Sequence, residues 1–421
     1  MSRLIAPPSP GRHSGTSLLA DAHALFAEAR QRRRRRRLAA AAACLLLVAA
    51  GAAAGIAVSR PGTTQPRSGY RHGHPAAAAH VPGFSLSPAA VAWVDSSGGL
   101  HVGNVSNRSQ RVVATISSGN QVLIETAGRI YWADGQSIRT LELATGARWR
   151  VASGEWASLS ADHRQLYVAV GTIHGNYPRA LTVVPVSGHG PARPLTLPAG
   201  WHLGNYPDPA IAGGLVVESY PGLGVWTEQT GRVRVLSRTA SATMSSWTPR
   251  GAGYSLLAWE PGGCGVWRCP LEITNTGTMH TLTVRSPLRY GFMISQSGSA
   301  FSPDGTELAA FASVTDPLSG AGPESELTLI NTRTGAVHLV RSVRLLTTED
   351  AAWVAWLAGG EQLLAGAINA SYAVNAVTLA ARPFYFFGPA EAGSPDISFS
   401  AIALPASALT ARIRSEIGLG R

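Results

Sequence analysis

The chain has 421 residues, 45% hydrophobic and 14% charged, with 46 Gly and 27 Pro; it is too apolar for wholesale disorder and rich in turn formers. Its formal charge is +11, and every basic residue is Arg, which we read as codon bias before chemistry. Residues 1–37 hold nine Arg against Asp21 and Glu28, so residues 38–421 carry only +4. A nucleic-acid-binding domain would show its excess on the folded part, so nucleic acid is set aside as a partner.

Residues 1–37 are expected to form a cytoplasmic basic tail. Leu18, Leu19, Ala22, Leu25, Phe26 and Ala29 recur at helical spacing behind a Ser17 cap, the pattern of an amphipathic helix on a membrane surface. Six consecutive Arg, Arg32 to Arg37, then favour anionic lipid. Residues 38–58, LAAAAACLLLVAAGAAAGIAV, hold no charge. As a helix they would span roughly 30 Å, the thickness of a bilayer's hydrocarbon core. Arg at one end and Ser59 at the other put the N-terminus in the cytoplasm and the rest outside. A cleaved signal peptide is the competing reading, but its apolar core is shorter and its leader briefer. Gly51 and Gly55 form G-x-x-x-G, a face for a transmembrane dimer.

Residues 59–83 are rich in Pro, Gly and Ala without apolar periodicity, and read as a flexible linker. His72, His74 and His80 in it lack a third ligand on a rigid element, so no metal is expected.

From residue 84 to 405 short β-prone runs alternate with Gly, Pro, Asn, Asp and Ser. The runs include VAWVD (91–95), RIYWAD (129–134), QLYVAV (165–170), GLVVES (214–219), SLLAWE (255–260), ELAAFA (307–312) and QLLAGA (362–367). They recur about every 45 residues, the period of a four-stranded propeller blade. Downstream of four of them stands strand-Thr-Gly-strand: Thr145-Gly146, Thr230-Gly231, Thr276-Gly277 and Thr334-Gly335. Gly supplies a positive-φ turn position without steric cost. Ser302-Pro303-Asp304-Gly305 sets another tight turn before ELAAFA, and is echoed by Ser160 and Asp162 before QLYVAV.

On these residues the chain resembles the TolB-type, WD40-like β-propeller repeat, whose hallmark is S-P-D-G before a short apolar strand. The resemblance implies an all-β propeller of about seven blades, six to eight, after one N-terminal transmembrane helix. It also implies a bacterial envelope protein. The apolar strand after Gly305 is expected to be a buried inner strand. ISFSAIALP (397–405) is expected to return and complete a first blade that lacks an inner strand. A pair of β-sandwiches is the alternative architecture, and residues 406–421 are left as a C-terminal tail.

Cys264 and Cys269 close a small loop, which outside the cytoplasm suits a structural disulfide. No G-x-S-x-G, Walker, H-E-x-x-H or EF-hand pattern occurs, so no catalytic residue, cofactor or metal is expected and the protein is read as not an enzyme. Most of the 11 Trp should fill space between blades. The Gly-Asn-Tyr-Pro segments near 171–180 and 200–209 are the choice for a binding rim. The expectation is therefore a membrane-anchored extracytoplasmic module binding an envelope protein, peptide or glycan. The alternatives are a signalling component coupled to the tail, and a glycan- or peptide-acting enzyme with its site in the propeller funnel.

Overall fold

The computed structural model describes residues 84–95, 98–116, 123–126, 128–169, 180–188, 190–203, 210–219, 222–239, 241–248, 253–262, 269–292, 298–315, 324–346, 352–367, 370–384 and 401–419. The tail 1–37, the apolar run 38–58, the linker 59–83 and Cys264 lie outside them. Among the described residues no helix is long and apolar enough to cross a membrane.

Three strands open the ring: β1 (Ala90–Val94), β2 (Gly99–Asn104) and β3 (Gln110–Thr115). The second blade holds β4 (Ile124–Thr126), β5 (Arg129–Asp134), β6 (Ser137–Glu142) and β7 (Arg148–Ser153). The third holds β8 (Trp156–Leu159), β9 (Gln165–Ala169), β10 (Ala180–Pro185) and β11 (Arg193–Thr196). The fourth holds β12 (Ala210–Ile211), β13 (Gly214–Ser219), β14 (Gly222–Thr227) and β15 (Arg232–Ser237). The fifth holds β16 (Ser241–Trp247), β17 (Leu256–Pro261), β18 (Leu271–Asn275) and β19 (Thr281–Val284). The sixth holds β20 (Ser299–Phe301), β21 (Glu307–Ser313), β22 (Glu324–Asn331) and β23 (Val337–Leu346). The seventh holds β24 (Trp353–Trp356), β25 (Gln362–Ala367), β26 (Ala370–Asn375) and β27 (Ala381–Pro383).

A last strand, β28 (Ala401–Leu404), pairs antiparallel with β1 from Ala90↔Leu404 to Trp93↔Ala401. The first sheet is therefore ordered β28-β1-β2-β3, and seven four-stranded antiparallel sheets result. The returning strand is where the sequence placed it, and it abolishes the ring's one open seam. The sandwich alternative is excluded, because no sheet here is larger than a blade. The C-terminal segment beyond β28 is not a free tail. A six-residue helix, α1 (Ala411–Glu416), is capped by Thr410. Around it Leu409, Ile413, Ile417 and Leu419 are buried against the first and second blades.

The core is not one interior but a set of seams. Each of seven apolar clusters joins two successive blades, and Trp93 with Trp353 joins the seventh to the first. Aligning each blade's second strand by its pairing with the third gives a simple rule. Odd positions face the next blade and even positions the previous one: Val216 meets Leu257 and Trp259, and Ala258 meets Leu308 and Ala310. Such a strand is buried on both faces, as β21 shows from Leu308 to Ser313, which explains the unbroken apolar runs. It is nonetheless the second strand and not the innermost. The first strands approach one another around the axis, β16 with β20 and β20 with β24, because the Ser-Pro-Asp-Gly turn joins strand one to strand two. Trp93, Trp132, Trp226, Trp259, Trp353 and Trp356 are buried in the seams, as expected of bulky spacers.

Gly305 takes φ +71°, and a Cβ there would meet the Trp247 ring of the preceding blade at 2.5 Å. The Trp247 indole N–H donates to the Pro303 carbonyl at 3.1 Å. Ser302 Oγ donates to Asp304 at 2.6 Å and accepts from the Glu307 amide, which with the Thr306 bonds holds the Asp304 carboxyl below its ordinary range. Ser160 and Asp162 repeat this geometry, with His163 at φ +59° in the glycine's place.

Gly146, Gly231 and Gly335 take the positive φ expected of them. The third copy differs. Thr276 and Gly277 lie in the turn after β18, but the left-handed residue is Met279, at φ +60°. Its amide donates to the Asn275 carbonyl as Gly335 does to Asn331, so the equivalent pair is Thr278-Met279. The same turn recurs with Leu379 after Asn375 and Arg108 after Asn104. The conserved part is the geometry: a side-chain oxygen at the turn's first residue accepts two or three residues on, from Thr334 in one copy and Thr378 in another. That local bond lets a non-Gly residue tolerate the left-handed well.

Candidate functional site

Both turn motifs lie at one end of the blades, after strand one and after strand three. The unusual chemistry lies at the other end. At the fifth position of the second strand the blades carry Val94, Ala133, Ala169, Glu218, Glu260, Phe311 and Gly366, aligned by pairing with the third strand. Two adjacent blades therefore place a carboxylate where the others place apolar residues.

Glu260 faces the sixth blade. It is 3% exposed, and its Oε1 has no hydrogen-bond partner. Burial pushes the carboxyl up to about 8, because an ionised oxygen taken out of water without a partner is strongly disfavoured. The facing surface of the sixth blade carries Glu326, buried at 6% exposure. Arg344 binds Glu326 at 2.8 Å and reaches Glu324 at 3.7 Å. Apolar groups fill the rest of that seam, among them Leu271, Phe292, Ala310 and Ala312.

Glu218 faces the fifth blade from the other side. Its backbone pairs with His202 at 2.8 and 2.9 Å. Burial lifts its carboxyl to about 7 and lowers the His202 imidazole, although the Leu203 carbonyl, 2.9 Å from Nδ1, works the other way. On the fifth blade Glu272 shares this side with Trp259; burial raises it and the Thr283 hydroxyl partly offsets that. The top of the fifth blade is thus flanked by carboxyl groups on both faces. Among the described residues no group of three His, Cys, Asp or Glu is arranged to hold a metal.

The sequence reading singled out other residues. Ser302, Pro303, Asp304, Gly305 and the Thr-Gly pairs build turns at the opposite end. Cys269 is buried just before β18, and its proposed mate Cys264 lies outside the described residues, as do Gly-Asn-Tyr-Pro in both segments. His101 is buried, stacks on Trp93 at 5.0 Å and meets Asp95 at 2.7 Å. Glu218 and Glu260 were missed. The one signal available was a Glu closing SLLAWE and one next to the end of GLVVES, which only the pairing register makes exceptional.

No family model matches the sequence, and no curated protein matches it. Among solved structures the chain is similar to a functionally unknown protein from Desulfotomaculum acetoxidans. That match is 11% identical at TM-score 0.47, over 75% of this chain and 99% of the other. It is also similar to a Bacteroides fragilis protein assigned as a 6-phosphogluconolactonase, 12% identical at TM-score 0.45, over 77% and 100%. A third is an Agrobacterium tumefaciens protein assigned as TolB, 14% identical at TM-score 0.39, over 62% and 91%. The class of protein is defined by the seven sheets themselves: this is an all-β, seven-bladed β-propeller.

Proposed function

We propose that the protein is a single-pass, membrane-anchored β-propeller displayed outside the bacterial cytoplasm as a non-catalytic binding or scaffolding module. The observation that supports binding is Glu260, a carboxyl built into a blade seam whose Oε1 has no hydrogen-bond partner among the described residues. Such a group costs stability, so its presence is best explained by something that meets it. The charge-free run 38–58 behind six Arg supports the anchor, and Cys264–Cys269 is carried forward as a staple suited to an oxidising compartment. Its ligand is an envelope protein, a peptide or a glycan; the Arg cluster meets anionic lipid, and Gly51 with Gly55 offers a dimer contact.

Proximity labelling in cells, followed by capture on the full-length chain, should recover one specific partner; a clean chain that enriches nothing overturns the binding reading. A C-terminal alkaline phosphatase fusion should be active and a C-terminal fluorescent cytoplasmic reporter dark. The reverse pattern removes the anchor.

One observation favours an enzyme as second reading. Glu218 and Glu260 hold protons near neutral pH, the property a general acid requires. They face opposite sides of the fifth sheet, so each would act alone. Turnover of a glycan or peptide library that Glu260→Gln abolishes would establish it.

A further inference from the structure

Five carboxylates, Glu218, Glu260, Glu272, Glu324 and Glu326, stand on the two seams flanking the fifth blade; of the arginines there, Arg344 pairs with Glu326 and Glu324, and Arg234 spends its guanidinium on the Thr276 carbonyl. In the seam between the fifth and sixth blades the balance can be followed group by group. Glu326 and Glu324 share the Arg344 guanidinium. Glu260, on the opposite wall, has none, although it is the more deeply buried carboxyl. Around it the fifth blade offers Leu271 and Ile273, and the sixth offers Ala310, Ala312, Thr328 and Phe292. Thr328 spends its hydroxyl on the Ala310 carbonyl at 2.6 Å. Among the described residues the charged side chains on the sixth blade's side of this seam are Glu324, Glu326 and Arg344, and none of them contributes to the rise of the Glu260 carboxyl, which burial alone causes.

The aligned positions rule out a requirement of the fold. Val94, Ala133, Ala169, Phe311 and Gly366 fill the same place in five other blades, so an apolar residue at 260 would satisfy the propeller better. A carboxyl retained there, enclosed and with no hydrogen-bond partner for its Oε1 among the described residues, is electrostatically complementary to one class of group. On the opposite wall Arg344 already shows that a guanidinium suits this seam.

We propose that the seam between the fifth and sixth blades takes the cationic tip of a ligand side chain, a guanidinium or ammonium carried on a basic peptide segment, with Glu260 as its acceptor. This rests on the binding-module reading and gives it a ligand class. The recognised unit is the tip of a chain and not a whole molecule, because Glu260 is almost fully enclosed. A bound cation requires the ionised carboxylate, so binding expels the proton that burial otherwise retains. Affinity should therefore climb about tenfold per pH unit from pH 6 to pH 8 and level off above it.

The test uses the full-length chain and two probes, tri-arginine amide and its neutral isostere tri-citrulline amide, titrated calorimetrically at pH 6.0 and pH 8.5. Tri-arginine should bind with a steep gain at pH 8.5, and tri-citrulline at least tenfold more weakly. Glu260→Gln should lose tenfold or more in affinity at pH 8.5 together with the pH dependence. Glu260→Leu, which matches the apolar residues of the other blades and so protects against misfolding, should do the same. Equal binding of both probes, no binding of tri-arginine at either pH, or an unchanged affinity in both variants overturns the cationic site. Capture of the cellular partner separates the two readings. A partner retained by Glu260→Gln leaves the module standing and sinks only the cation site, whereas no partner on either chain sinks the module.

Discussion

Replacing Glu260 by Gln isolates one titration in an otherwise unchanged seam. The unfolded chain ionises this carboxyl near its ordinary 4.5, whereas the fold holds it to about 8. Between those values the folded state binds the extra proton, so stability present below pH 4.5 is lost as pH rises and is fully lost above about 8. At 1.36 kcal/mol per pH unit, the loss accumulated by pH 7 is about 3 kcal/mol. The folded unit Ala78–Arg421 has an unfolding entropy of about 0.7 kcal/mol/K, from ~2.1 cal/mol/K per residue, so the loss corresponds to about 4 °C in Tm. Glutamine keeps the shape and cannot ionise. Thermal melts followed by intrinsic tryptophan fluorescence from pH 5 to pH 8 should therefore show the two proteins together at pH 5. The variant should melt about 4 °C higher at pH 7. Glu218 titrates in both proteins and cancels in the difference. Parallel curves at all pH values would refute the claim that burial holds a proton on the Glu260 carboxyl.

Gly305→Ala should lose about 2–4 kcal/mol, since it adds a left-handed non-Gly residue and a Cβ at 2.5 Å from the Trp247 ring; urea denaturation measures it. Met279→Gly relieves the same left-handed backbone strain and should change stability by less than about 1 kcal/mol in urea denaturation, in the stabilising direction if at all. Deleting residues 401–421 removes β28 and the packed segment around α1. It should leave β1 with a free edge and yield protein that aggregates or is rapidly cleaved by trypsin, whereas a truncated chain melting like the parent would refute closure by the C-terminal strand.

Much of the ring was legible in the sequence because its second strands are buried on both faces and so read as unbroken apolar runs, with turn motifs between strands. VAWVD, RIYWAD and ELAAFA fall on β1, β5 and β21, and ISFSAIALP holds β28. Turn chemistry is local, so Ser302 to Gly305 and three of four Thr-Gly pairs behave as their residue types dictate. The fourth misled because Gly277 lies two residues before the strained position, and Asn275 stabilises a left-handed Met279 that no glycine rule would choose.

By itself the sequence determined the strand period, the turns and the closing strand, since each depends on contacts within a few residues or on a simple apolar repeat. Which face each residue presents was decided only by the tertiary structure. Whether a glutamate ending an apolar run meets water or a neighbouring sheet depends on pairing register and on blades far apart in sequence. That is why Glu218 and Glu260 look ordinary in the chain, and why only the assembled blades show Glu218 half-buried and Glu260 enclosed between sheets.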